Sequence, residues 1–382
     1  MRNTADGVVI GGGIIGVASA FYLARAGVGN IVIVEKERFM GSGSTSKAAG
    51  GIRAQFSSRV NIQMSMLSED IFARFKDETG WDALFDQVGY MFLLASDEEV
   101  ADFTKAYELQ RSLGLDVHLL KPDDISRYAP HVRIDDIKLA TFCKKDGLGD
   151  PNEFLAAYEK GCRDKGVAIE LEAGVTGFEI SAGKITAVKT AKGTISTPLI
   201  INAAGPWAGE IGRLMGASVQ VKPYPRQCVT TGELDFVQPF FPMVVDVASG
   251  LYCHKESKGM LLGWADKEAK STFDVSIDPD YTDNILERAL NRIPRLETAE
   301  IANVWTGLYE TTPDHRAIIG WDPDVKGVIH VTGFSGHGFM HAPAAGIVTA
   351  ELATGKKPQI DISDLSPARF AKGELVEETN VI

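Results

Sequence analysis

Cysteine is scarce in this sequence. Four residues in 382, Cys143, Cys162, Cys228 and Cys253, are widely spaced and form no C-x-x-C pair. That excludes a disulfide-built scaffold and offers no thiolate set for zinc or iron–sulfur, so no metal is expected and the thiols of a cytoplasmic protein are. Basic charge is also in deficit: 39 Lys and Arg against 51 Asp and Glu give a net charge of −12. Such a field disfavours nucleic acid and anionic membrane surfaces as partners. It does not exclude a small anionic substrate, because one local arginine overrides it. The run from Gly7 to Ala24 carries no charge, but Asp6 replaces the basic lead-in of a signal peptide and the run is centred on Gly-Gly-Gly-Ile-Ile-Gly. Glycine-rich backbone makes a poor spanning helix, so no membrane segment is expected. No fixed-period repeat or low-complexity tract occurs.

What the chain has is glycine in a fixed pattern. Val8-Val9-Ile10 is a β-branched run suited to a buried parallel strand. Gly11, Gly13 and Gly16 follow as G-x-G-x-x-G, opening a helix from Ile14 to about Ala26 that Gly27 closes. Gly29-Asn30 then turns the chain into Ile31-Val32-Ile33-Val34, which ends at Glu35. In a βαβ unit of this kind Gly11 permits the tight turn, Gly13 lets the backbone approach a pyrophosphate, and Gly16 lets helix and sheet pack closely. The free amides and the dipole of the helix face the phosphates. Glu35 can accept hydrogen bonds from both ribose hydroxyls and would repel the extra phosphate of NADP. The motif binds a dinucleotide; by itself it does not separate FAD from NAD.

A chain of this length exceeds one hydrophobic core, so two domains are expected. A glycine- and serine-rich loop runs from Phe39 to Gly51, followed by a helix over about Arg59 to Glu78. Val88 to Leu94 reads as a strand, Glu98 to Leu113 and Asp150 to Lys165 as helices, and Val167 to Leu171 and Ile185 to Thr190 as strands. The apolar stretch Pro198 to Gly205 suits a buried strand returning to the first sheet; Val328 to Val331 gives one more, before a small-residue helix over roughly Pro343 to Ala353. The expected class is α/β: a Rossmann-like nucleotide domain assembled from residues 1–80, 145–220 and 306–382. A mixed-sheet α+β substrate domain takes residues 81–144 and 221–305.

No second G-x-G-x-x-G occurs, so one dinucleotide is expected. Together with the fingerprint, the stretches Gly41 to Arg53, Asn202 to Trp207 and Gly333 to Phe339 resemble the D-amino-acid-oxidase-like FAD-dependent oxidoreductases. The resemblance runs from end to end and is strongest to sarcosine oxidase, glycine oxidase and the FAD subunit of dye-linked L-proline dehydrogenase. It implies FAD contacts from Gly11, Gly13, Ile14, Ile15, Gly16, Glu35 and Lys36; from Gly43, Ser44, Thr45, Ala49, Gly50, Gly51 and Ile52; and from Val175, Ala203, Ala204, Gly205 and Trp207. It adds Gly307, Gly336, His337, Gly338, Phe339 and Met340. Gly307 stands where monomeric sarcosine oxidase carries its flavin-linked cysteine, which implies non-covalent FAD.

The same resemblance places Arg53 where sarcosine oxidase grips its substrate carboxylate, a task suited to a guanidinium fork that cannot lose its proton. Tyr252, Tyr309 and His337 are the other catalytic-site candidates, with His254 behind them. The implied reaction removes hydride from the carbon beside the amine of a small amino acid, foremost a secondary one, such as sarcosine, glycine or proline. Leu261 and Met340 fall where sarcosine oxidase has lysines, one of which activates oxygen. These departures favour a dehydrogenase delivering electrons to a partner subunit, quinone or dye, although Lys258 is near in sequence. The alternatives are a 2-hydroxy acid oxidoreductase, an FAD-binding subunit with little activity alone, and an NAD-dependent enzyme. Homo- or hetero-oligomers are compatible with each.

Overall fold

In the computed structural model, which describes residues 2–381, strand Gly7–Ile10 lies inside a six-stranded sheet. Positions 1 and 382 of the outermost expected segments fall outside the described residues. The strand order is Ile318–Trp321, Val328–Thr332, Ile200–Asn202, Gly7–Ile10, Ile31–Val34, Ala168–Glu170. Five of these run parallel, and Ile318–Trp321 pairs antiparallel at one edge. Strands Gly7–Ile10 and Ile31–Val34 are apolar and buried at every position, as a parallel sheet covered on both faces requires. The sheet therefore draws its strands from three separated stretches of chain.

Helices Ile14–Arg25, Pro151–Asp164 and Gly338–Ala353 pack together over this sheet with Arg59–Phe72. Glycine allows the closest approach: a Cβ on Gly346 would sit 2.6 Å from the Tyr22 ring and 2.9 Å from the Ala18 carbonyl oxygen. The helix expected over Arg59 to Glu78 is in fact two, Arg59–Phe72 and Phe75–Thr79. The chain bends at Arg74, and both Phe72 and Phe75 are thereby delivered onto Phe154, with ring centres 4.6 and 4.7 Å away. The small-residue helix starts at Gly338, before the expected Pro343. Proline in its second turn omits one backbone bond, and the turn ahead of it still forms.

The second large sheet has eight strands: Ile301–Thr311, Lys222–Thr231, Gly259–Trp264, Leu251–Glu256, Met243–Asp246, Tyr90–Leu94, Leu139–Cys143, Val117–Leu120. Only Met243–Asp246 and Tyr90–Leu94 pair in parallel, so the sheet is mixed. Strand Ile301–Thr311 runs straight through position 305, where the boundary of the substrate segment was expected. Alternation along these strands sorts the side chains. Tyr90, Phe92, Met243, Val245, Tyr252, Leu261 and Cys228 cluster on one face. Met91, Leu93, Val244, Cys253, Leu262 and Val229 pack on the other with residues of helix Pro279–Arg292. Among the described residues, no helix is long and apolar enough to cross a membrane.

Candidate active site

A cavity of about 390 Å³ lies between the carboxyl ends of the parallel strands and the tyrosine-bearing face of the eight-stranded sheet. Ile10, Val34, Ala203 and Val331, each at or next to a strand end, line it. This is where open α/β sheets bind ligands.

At the fingerprint, Gly11 and Gly16 have the turn and packing geometry that their spacing predicts. Gly11 has φ +110°, and a Cβ there would run into the Ala203 carbonyl oxygen; one on Gly16 would run into that of Gly11. Gly13 is different. A Cβ on it would meet only Thr45 Oγ1, at 3.2 Å, and would otherwise project into the cavity. Gly13 provides no capping side chain for helix Ile14–Arg25, and no acidic residue stands in its first turn. The Ile14 amide donates to Thr45 Oγ1 (3.0 Å). Glu35 is held by two backbone donors, the Gly12 amide to Oε2 (2.6 Å) and the Glu37 amide to Oε1 (2.8 Å). Its remaining lone pairs are available to a ribose. Lys36 sits 3.5 Å over the Trp207 ring, which stacks on Phe273.

Helix Gly338–Ala353 brings a second such terminus to the same cavity. It too lacks a capping side chain and a first-turn acid, and Gly338, Phe339 and Met340 line the wall. The loop Gly41 to Gly51 closes another side, anchored by Ser44 Oγ on the Leu308 carbonyl (2.6 Å). Two anion-favouring helix ends, a side-chain-free glycine at each approach and an oriented carboxylate fit a flavin dinucleotide. Of the residues expected to contact FAD, Ile52 and Gly16 do not line the cavity. Ile52 is wholly buried in the core beneath it, and Gly16 acts through helix packing.

The end away from the fingerprint is lined by Arg53, Tyr90, Tyr252, Tyr309, His337, Cys228, Met243 and Arg226. Tyr252 lies flat across the neighbouring strand because Gly263 has no Cβ to block its ring, and its hydroxyl is 3.3 Å from Cys228 Sγ. Burial pushes the Tyr90 phenol up to about 12 and those of Tyr252 and Tyr309 upward too. All three are neutral at pH 7. His337 is pushed down to about 4, first by burial and then by the Arg53 charge, and burial lowers His341 as well. His337 Nε2 faces the His315 carbonyl (3.2 Å), which can only accept, so the neutral ring carries its proton there. Its Nδ1 then accepts from His341 Nδ1 (3.2 Å), whose Nε2 accepts from Ser65 Oγ (2.8 Å). Both nitrogens of His337 are thus engaged within the protein.

Arg53 is 2% exposed and stacks 3.9 Å from the Phe56 ring centre. Nη1 donates to the Gln55 carbonyl (2.8 Å) and Nη2 to that of Asn380 (2.5 Å), while Nε has no partner. Asn380 belongs to a segment that reaches back across the domain. Glu378 accepts hydrogen bonds from Ser57, Ser58 and Asn61, and Val381 lines the cavity. His254 is buried, bonded to the Lys255 carbonyl and outside the cavity wall. Lys258 is remote too, exposed and paired with Glu233 at 3.1 Å.

Several lining residues escaped the sequence reading. Among them are Tyr90, Lys47, Arg226 and Glu310, whose carboxyl is pushed up to about 6 by burial while it accepts from Thr332 Oγ1 (2.8 Å) and the Phe334 amide. Tyr90, Arg226 and Glu310 lie on strands, where period-two alternation marks one face, but which face meets the cavity depends on register.

The sequence matches the family of FAD dependent oxidoreductases over residues 6–352. It is 28% identical to mitochondrial sarcosine dehydrogenase of Mus musculus over 97% of this chain, and spans only 42% of that enzyme's length. Among solved structures it is similar to L-proline dehydrogenase from P. horikoshii, with a TM-score of 0.92 and 33% identity over 98% of this chain and 100% of that one. Glycine oxidase from Geobacillus kaustophilus gives a TM-score of 0.85 and 25% identity, over 96% and 98% of the two chains.

Proposed function

Because the chain belongs to the FAD dependent oxidoreductase family, we propose that it oxidises the carbon–nitrogen bond of a small amino acid and hands the electrons to an acceptor other than oxygen. The observation that carries this reading is the substrate end of the cavity: a buried guanidinium, Arg53, with no carboxylate bound to it, beside three neutral phenols. The substrates named for the relatives, sarcosine, L-proline and glycine, share a carboxylate next to an amine. Arg53 is rigidly oriented by its two carbonyl acceptors and presents its remaining N–H groups and its charge to that carboxylate.

Bound FAD supplies the acceptor for the hydride leaving the carbon beside the amine. The chain supplies position and environment. Tyr252 and Tyr309 offer phenol hydroxyls that stay protonated, and His337 stays uncharged with both nitrogens committed. Among the described residues named at this end, none is a carboxylate or a free imidazole able to take a proton at neutral pH, so the amine has to enter the chamber already neutral. Met243, Phe339 and Met340 help to keep water from the reacting carbon. We propose that FAD is held without a covalent bond: a side chain at Gly307 would press on Lys47 Cβ at 2.7 Å, and glycine offers no sulfur.

Leu261 is buried in the apolar face of the sheet and Met340 forms part of the wall, which favours a dehydrogenase. Turnover with sarcosine, glycine and L-proline is expected to be fast with an artificial dye and slow with oxygen. Rapid peroxide release would overturn the choice of acceptor. Turnover of 2-hydroxy acids alone would overturn the choice of substrate.

A further inference from the structure

Arg226 sits on strand Lys222–Thr231 directly opposite Gly307 of strand Ile301–Thr311. Residues two apart on a strand share a face, so Arg226 points the same way as Cys228, and Gly307 the same way as Tyr309. The contact between Cys228 and Tyr252 identifies that face as the cavity side. The Arg226 guanidinium carbon is 5.4 Å from the Tyr309 ring centre. Gly307 opposite it carries no side chain, and Lys47 packs over that glycine, its Cβ 2.7 Å from where a Cβ of residue 307 would stand.

Its bonding is far from complete. Nη1 donates to the Pro225 carbonyl (3.0 Å), and the buried Nε donates to nothing. No ion pair with an acidic side chain forms at Arg226 among the described residues. The contrast within the molecule is informative. Buried Arg292, Arg316 and Arg369, all away from the cavity, each hold a carboxylate: Asp246 at 2.9 Å, Asp364 at 3.3 Å and Asp314 at 2.7 Å. Arg226 and Arg53, which line the cavity, hold none. With acidic residues in excess, scarcity of partners does not explain this. A desolvated donor left unpaired is costly and is ordinarily retained for something that arrives. Both guanidinium charges act on the Tyr309 phenol, which places that phenol within reach of the two fields.

We infer that Arg226 is a second binding residue for the substrate carboxylate, meeting it from the eight-stranded sheet while Arg53 meets it from beneath the flavin loop. The inference rests on the amino-acid reading for the identity of the substrate, though not for the existence of an anion site. Arg53, pinned by two carbonyls, contributes charge from a fixed position. Arg226 has the freer fork and sets selectivity for a carboxylate over an uncharged carbonyl group.

The test uses FAD-loaded protein and calorimetric titration with 2-furoate, a ring carboxylate with no amine to oxidise, against 2-furamide, its uncharged counterpart. The intact protein is expected to prefer furoate clearly. Arg226→Gln should lose roughly tenfold to a hundredfold in furoate affinity, the worth of a charge-assisted hydrogen bond, and leave furamide binding unchanged. Arg226→Lys, keeping charge without the fork, should recover part of it, and KM for an amino acid should rise more than kcat falls. Wild-type furoate affinity in folded, FAD-loaded Arg226→Gln and Arg226→Lys would overturn the inference, and amino-acid turnover in the same samples would leave the proposed function standing. Arg226-dependent furoate binding in a protein that no amino acid reduces would support the anion site and remove the amine chemistry.

Discussion

Gly13→Val is expected to fold as the unaltered chain does and to purify without colour. The backbone at Gly13 is extended, with φ −77° and ψ 173°, so valine adopts it without strain. A Cβ there touches only Thr45 Oγ1 and otherwise occupies the cavity in front of the uncapped helix. The added methyl groups stand where a pyrophosphate has to approach the amides. Losing two charge-assisted hydrogen bonds at about 1.5–3 kcal/mol each lowers FAD affinity by roughly a hundredfold or more. Fluorescence titration of the apoprotein with FAD measures the loss, and the melting temperature of the apoprotein should not move. A yellow Gly13→Val protein would show that the pyrophosphate lies elsewhere. Gly11→Ala and Gly16→Ala are the contrasting cases, since their Cβ atoms strike backbone carbonyls and the fold itself should weaken. In the unaltered protein, acid precipitation should leave the colour in the supernatant, as expected of dissociable FAD.

The second large effect belongs to Arg53. Arg53→Met keeps most of the stem that packs on Phe56 and removes the charge. The loss of a charged carboxylate contact is worth about 1.5–3 kcal/mol, so kcat/KM should fall roughly tenfold to a hundredfold, mainly through KM. Arg53→Ala should do the same and also cost stability. It leaves the buried Gln55 and Asn380 carbonyls without their donor and opens a cavity beside Phe56, together on the order of 2–4 kcal/mol. The segment carrying Glu378 and Asn380 should then become more open to proteolysis. Steady-state kinetics on FAD-loaded Arg53→Met and thermal unfolding of Arg53→Ala separate the two roles. Unchanged kinetics in Arg53→Met would take Arg53 out of the substrate site.

The nucleotide half of the site was legible because its chemistry is local. Gly11 needs glycine for its positive φ and Gly13 leaves the space before the helix free, and both features act within a few residues of chain. Glu35 was readable for the same reason, sitting at the end of the next strand. The substrate half was legible only where resemblance supplied it. Arg226 reaches the cavity through its register with Gly307, 81 residues on, and no local pattern encodes that pairing. The hold of Asn380 on Arg53 spans 327 positions and is equally invisible. The break at Arg74 was missed because Ile71, Phe72 and Phe75 keep helical spacing across it. Tertiary packing of the phenylalanines decides where the helix stops.

The most direct measurement is anaerobic: the FAD-loaded protein, its absorbance near 450 nm followed (the general flavin band), titrated with sarcosine, glycine and L-proline and separately with 2-hydroxy acids. One of the amino acids should bleach the band stoichiometrically while the hydroxy acids leave it intact. Bleaching by a hydroxy acid alone, with every amino acid inert, would contradict the account.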